Sequence, residues 1–127
     1  MDGITMQNTI NILYVDDEDH LRALVKEQLI AEGFAVETAD DGDTALTKID
    51  NRSYDLILLD IRMPRLNGIE VLKYIKNKKI TTRVIMLTAV DDLAVALEAV
   101  KMGAIDYMTK PYDYNELINV ITRVVSK

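Results

Sequence analysis

At 127 residues the chain has the length of one ordinary domain, enough to bury a single core. Its 49% apolar and 28% charged residues are a globular balance, not a disordered one. With no cysteine, one histidine (His20) and a net charge of −6, disulfides, thiolate catalysis and cysteine or multi-histidine metal sites are excluded, and direct nucleic-acid binding by this chain is disfavoured. Any metal must be held by oxygen.

The N-terminal stretch MDGITMQNTI lacks the basic and apolar regions of a signal peptide, and no apolar run approaches the roughly 20 residues of a membrane span. The expectation is a cytoplasmic protein that does not engage a membrane. Ile12 to Val15 reads as a first strand. It is followed by LRALVKEQLIAEG, where Leu21, Leu24, Val25 and Leu29 form a helical stripe and Gly33 stands where a C-terminal cap belongs. Phe34 to Ala39 is a second strand, and Thr44 to Asp50 a short helix with Ala45, Leu46 and Ile49. DLILLD, Asp55 to Asp60, has four consecutive apolar residues, as a central parallel strand covered on both faces requires.

Asn67 or Gly68 opens a third helix carrying Ile69, Leu72 and Ile75, and RVIMLTA, Arg83 to Ala89, is a fourth strand. Asp91 or Asp92 is expected to cap a fourth helix ending near Met102 and Gly103. Its LAVALEAV segment is apolar on more than one side. Asp106 to Thr109 is a fifth strand, and Tyr114 to Val125 a last helix with Leu117, Val120, Ile121 and Val124 inward. Tyr112, Tyr114 and Ile118 cluster at the start of that helix and suggest a partner surface.

Five strand–helix units in alternation, without linker or repeat, imply a parallel sheet with helices on both faces. The size suits a flavodoxin-like (βα)5 doubly wound fold, strand order 2-1-3-4-5, spanning residues 1–127 as a single domain. Ligands of such folds bind beyond the carboxyl ends of the strands, at the switch point between the first and third. Asp16 and Asp17 end the first strand, Asp60 the third, Thr88 the fourth and Lys110 the fifth.

Three carboxylates brought within a few ångströms repel by roughly 1 to 4 kcal/mol per pair. Lys110 offsets part of this. A hard divalent cation supplies the rest, and Mg²⁺ fits because it keeps several waters and takes few protein ligands. A carboxylate so placed can attack phosphorus, which makes Asp60 a candidate nucleophile, with Lys110 neutralising the phosphoryl oxygens and Thr88 donating a hydrogen bond. Taken singly, the acidic pair reads equally well as a helix cap through Asp17 or Asp19, Thr88 as a strand-end hydroxyl, and Tyr107 as core. His20, without a partner histidine, reads as solvated or capping.

The ordered set resembles the receiver domain of two-component response regulators, from NILYVDDED through DLILLDIRMPRLNGIEVL and RVIMLTA to GAIDYMTKPY. Asp17 precedes Asp60 by 43 residues, Asp60 precedes Thr88 by 28, and Thr88 precedes Lys110 by 22. The resemblance implies that Asp60 accepts a phosphoryl group from the phosphohistidine of a sensor histidine kinase or histidine phosphotransfer protein. It implies Mg²⁺ held by Asp17, Asp60 and the backbone carbonyl of Arg62, with Asp16 acting largely through water. It implies a switch pair, Thr88 and Tyr107, and a cis peptide between Lys110 and Pro111.

On the same footing, an output domain or downstream protein reads the face made by the fourth helix, fifth strand and fifth helix. GAIDYMTKPY lacks the doubled Asp common in winged-helix regulators that dimerise through this face, so homodimerisation stays open. The only chemistry implied is the chain's own phosphorylation and dephosphorylation, a signalling role and not that of an enzyme with a separate substrate. Arg62 and Val90 depart from the best-known members on the route by which water reaches the phosphoryl group, and a phosphorylated form outlasting seconds is expected. Two rivals compete. An aspartyl-nucleophile phosphatase would want a second acid where Arg62 stands, and a phosphate-independent binding module would tend to lose site residues that are all present here.

Overall fold

The computed structural model describes residues 9–126, so all but the last two residues of the MDGITMQNTI stretch lie outside the described residues. Five parallel strands, β1 (Asn11–Val15), β2 (Ala35–Ala39), β3 (Leu56–Asp60), β4 (Arg83–Thr88) and β5 (Asp106–Thr109), form one sheet in the order β2-β1-β3-β4-β5. Between and after them run α1 (Asp19–Ala31), α2 (Gly42–Asn51), α3 (Gly68–Asn77), α4 (Leu93–Lys101) and α5 (Tyr114–Val125). The doubly wound fold expected from the alternation is the fold observed.

Side chains on a strand alternate between faces, and here both faces are buried. Leu13, Val15, Ile57, Leu59, Val84 and Met86 pack toward Ala45 and Ile49 of α2, Val71, Leu72 and Ile75 of α3, and Ala96 and Ala99 of α4. Ile12, Tyr14, Leu56, Leu58, Ile85 and Leu87 pack toward Val25 and Leu29 of α1 and Leu117, Ile121 and Val124 of α5. That is why DLILLD carries no polar residue between its two acids. Each buried Leu, Ile or Val stabilises the sheet by about 1.5–3 kcal/mol relative to leaving it in water.

The helix ends follow local chemistry. Asp41 and Asp113 accept from the backbone N–H groups of Thr44 and Glu116, and Asn67 and Glu70 form a reciprocal capping box that starts α3. After α1, Gly33 takes φ +99 while its N–H and that of Phe34 close on the carbonyls of Ile30 and Leu29. Gly103 does the same after α4, whereas after α3 the left-handed position is filled by Lys79 at φ +59.

Two sequence expectations fail. Leu24 is 53% exposed, because at 3.6 residues per turn it lies about 120° around α1 from the line joining Val25 and Leu29. Asp92 stands at the N-cap position of α4 but caps nothing, since its side chain is drawn sideways to Arg62. A single 3-10 turn, Val90–Asp92, precedes α4. That helix leaves Leu93, Val95, Leu97 and Val100 at least 36% exposed.

Candidate functional site

The carboxyl ends of β1, β3, β4 and β5 converge because parallel strands all end on the same side. Asp60 closes β3 beside Leu87 of β4, and the ladders run on past the strands: Asp16 N–H donates to the Ala39 carbonyl (3.1 Å), Ile61 N–H to Leu87 (3.0 Å) and Lys110 N–H to Thr88 (2.8 Å). The first residue beyond β1, β3 and β5 is thus held by a continuation of the strand ladder. At Gly68 a side chain has no room. A Cβ there would collide with the Asp60 carbonyl and the Ile61 backbone, so the front of α3 can sit directly behind the end of β3 only because this residue is glycine.

Carboxylate oxygens of Asp16, Asp17 and Asp60 all lie within 4.8 Å of one another. Asp16 and Asp60 are buried and Asp17 is exposed, so the cluster faces solvent through Asp17. The Lys110 ammonium lies 3.0 Å from Asp16 Oδ2 and 3.2 Å from Asp60 Oδ2. Burial holds the Asp60 carboxyl up to about 7; Lys110 pulls it down, and Asp16 and Asp17 push it further up. Burial works to lower the Lys110 ammonium, but Asp60 and Asp16 outweigh it and keep it above its ordinary value. One ammonium against three carboxylates leaves the cluster short of positive charge, and an oxygen-only donor set open to solvent on one side fits a small hard dication.

Asp16 is the most fully committed of the three. Its Oδ1 accepts the Glu18 N–H at 2.9 Å, its Oδ2 accepts the Tyr14 hydroxyl at 2.8 Å beside Lys110, and its backbone carbonyl takes Arg22 Nη1 at 2.8 Å. Tyr14 and Arg22 escaped the sequence reading. For Tyr14 a signal existed: residues two apart on a strand share a face, so a tyrosine two before an acid can reach it. The hydroxyl of Tyr112 also turns inward toward this pocket, buried and without a hydrogen-bond partner among the described residues; burial, then Asp16, raises it well above the ordinary phenol range. The expected partner surface at Tyr112, Tyr114 and Ile118 is therefore partly spent within the fold, since Tyr114 donates to Glu32 at the end of α1.

Thr88 is buried, and its hydroxyl donates to the carbonyl of Ala89 at 3.1 Å. Tyr107 is half-buried against the core on the α2–α3–α4 side. The Lys110–Pro111 peptide is cis. Arg62 stands two residues past Asp60 on the loop before α3, with its guanidinium on Asp92, and Val90 is 65% exposed. His20 is exposed at the start of α1 and is not a member of the acid cluster. A cavity of about 510 Å³ lined by Asp17, Arg62, Met63, Asn67, Asp92 and Val95 opens beside the acids.

The family model described as the response regulator receiver domain matches residues 12–122. The chain is 39% identical over 114 residues to the regulatory protein AtoC of Escherichia coli, covering 90% of this chain and 25% of that one. It is 42% identical over 106 residues to the alkaline phosphatase synthesis transcriptional regulatory protein PhoP of Bacillus subtilis, covering 84% and 44%. The chain thus spans a quarter to just under half of these relatives. Among solved structures, the Francisella response regulator 1452 receiver domain superposes with a TM-score of 0.87 at 34% identity, over 93% of this chain and 98% of that one. A receiver domain protein of Clostridium thermocellum does so with 0.86 at 32%, over 92% and 94%.

Proposed function

Because the chain belongs to the response regulator receiver domain family, whose role is to accept a phosphoryl group, we propose that Asp60 is its phosphoacceptor. The observation that carries this reading is the placement of Asp60: a nearly buried carboxylate closing the central strand, within 3.2 Å of Lys110 and within 4.8 Å of two further acids. An oxygen of Asp60 attacks the phosphorus of a phosphohistidine. The O–P bond forms as the P–N bond breaks, and the leaving imidazole nitrogen keeps the electron pair and takes up a proton. Lys110 neutralises charge on the phosphoryl oxygens, and Asp16, clamped by Tyr14 and the Glu18 N–H, keeps that ammonium in place.

Asp17, Asp60 and the backbone carbonyl of Arg62 would hold Mg²⁺, with Asp16 reaching it through water. When bound it supplies the positive charge that lets an anionic donor approach an acidic pocket. Thr88 leaves the Ala89 carbonyl for the new phosphoryl group, and Tyr107 turns inward behind it. This biases the α4–β5–α5 face, where Leu97, Val100 and Ile105 are already 36–51% exposed, toward the form read by an output domain or downstream protein.

Response regulators work with histidine kinases and output domains; for this chain the donor is a sensor histidine kinase or a histidine phosphotransfer protein. It is a signalling unit whose only chemistry is its own phosphorylation and dephosphorylation. Residues 1–127 act as one receiver domain in the cytoplasm. No described helix is long and apolar enough to cross a membrane.

Intact mass after incubation with acetyl phosphate tests the reading. One phosphoryl adduct is expected, dependent on Mg²⁺ and absent from Asp60→Asn. Val90 offers no polar side-chain atom to position a water, so the adduct should outlast seconds in Mg²⁺ buffer. An adduct of equal yield in Asp60→Asn would displace Asp60 from its role.

A further inference from the structure

Arg62 and Asp92 come from two different loops, 30 residues apart, and meet as a fork: Arg62 Nε and Nη2 donate to the two oxygens of one carboxylate at 2.5 Å each. The pair is lopsided. The Asp92 side chain is 6% exposed and the Arg62 side chain 75%, so the carboxylate is fixed in the protein while the guanidinium stands on a solvated arm. Asp92 stands at the N-cap position of α4 without accepting from its N–H groups. Hence the fork ties the front of α4 to the loop that follows Asp60. Arg62 and Asp92 also share a cavity with Asp17, whose carboxylate belongs to the cluster that includes Asp60.

We infer that Arg62 exchanges partners when Asp60 is phosphorylated: its guanidinium leaves Asp92 for the phosphoryl oxygens, becoming their second cationic contact beside Lys110, and Asp92 is released to cap α4. The inference rests on the assignment of Asp60 as phosphoacceptor. A phosphoryl group brings close to two negative charges and three acceptor oxygens, and the planar guanidinium fork matches phosphate as well as carboxylate. The vacated carboxylate is not stranded, because the first-turn N–H groups of α4 lack intrahelical partners and an aspartate at the N-cap position accepts from them. Asp92 therefore has two alternative sets of donors, and the charge on Asp60 selects between them. By linkage, a change that weakens the fork on the Asp92 side and leaves the guanidinium intact strengthens its hold on the phosphoryl group.

The lifetime of the phosphorylated protein separates this exchange from a passive tether. Protein labelled with acetyl phosphate and freed of donor is followed by intact mass in Mg²⁺ buffer for the wild type, Asp92→Asn and Arg62→Gln. Exchange predicts opposite signs: Asp92→Asn frees the guanidinium and lengthens the lifetime by about three- to tenfold, while Arg62→Gln shortens it by a similar factor. If both variants shift it the same way, or neither shifts it, the exchange is wrong, because two halves of a mere tether break the same bond. Should Asp92→Asn fail to fold, the Arg62 Nε–H resonance of the wild-type protein, identified by its loss in Arg62→Gln, is measured with and without beryllofluoride. A resonance that moves supports exchange, and one that stays overturns it. A wild-type protein that takes no label at all would instead count against Asp60 as the acceptor.

Discussion

The Tyr14 hydroxyl donates to Asp16 at 2.8 Å from within the sheet, so the acid cluster is supported from the core side by a phenol whose ring is fully buried. Phenylalanine would keep the ring and lose the donor. Tyr14→Phe is expected to lose about 1.5–3 kcal/mol of stability, the range for a hydrogen bond to a charged group, measured by urea unfolding without metal. A loss below 0.5 kcal/mol, on the order of an exposed substitution, would mean that Lys110 and the Glu18 N–H suffice for Asp16.

Asp60 supplies a pH dependence with a definite sign. Its carboxyl sits at about 7 in the folded protein against about 3.9 in an unfolded chain, so between those values the folded state holds a proton that the unfolded state has released. Stability contributed by this group is therefore present at pH 4 and lost as pH rises through 7. Asp60→Asn should be more stable than the wild type by on the order of 2–4 kcal/mol at pH 8 without metal, and equal to it near pH 4. Thermal melts at the two pH values, with Mg²⁺ restoring part of the wild-type deficit at pH 8, check the prediction.

Lys110 faces two of the three carboxylates, and its loss should act in opposite directions on two observables. Lys110→Met should slow acetyl phosphate labelling by roughly 100-fold or more, the usual cost of removing a donor aimed at developing charge. It should also tighten Mg²⁺ binding by about fivefold, ~1 kcal/mol, because one competing positive charge is gone. Calorimetric titration of Mg²⁺ beside the labelling rate reads both. Weaker Mg²⁺ binding would show that Lys110 organises the acids more than it competes with the metal.

Lys79 is a non-glycine residue at φ +59, ending α3 where glycine ends α1 and α4. Lys79→Gly removes the left-handed penalty of about 1 kcal/mol, less the entropy glycine adds to the unfolded chain. A rise in Tm of about 2–4 °C is expected, with labelling rate unchanged.

Strands buried on both faces announce themselves, and the apolar run of β3 located the centre of the sheet. Once the sheet was ordered, the acids at the strand ends fell together, since sequence position along parallel strands translates directly into height along the sheet. Contacts between loops have no such periodic signature. Arg62 and Asp92 are linked by nothing in the chain that repeats, so Asp92 read as a cap. Leu24 failed for a different reason: it was counted with Val25 and Leu29 although 3.6 residues per turn put it about 120° around α1 from them. The inward turn of the Tyr112 hydroxyl, after Pro111, is a property of the assembled pocket that composition at the surface does not encode.

Asp60 and Lys110 touch across 50 residues of chain, and the acids they work with arrive from yet another strand at the far end of the sequence. No fragment shorter than most of the domain contains the site, and no local fluctuation of structure can assemble it. Capacity to take a label is thus an assay of the completed fold: a nascent, truncated or misfolded chain would be silent, and the labelled fraction would count correctly folded molecules. Quality control and signalling capacity are then one measurement, because the long-range pairing of strands that makes the protein stable is the same event that makes it competent.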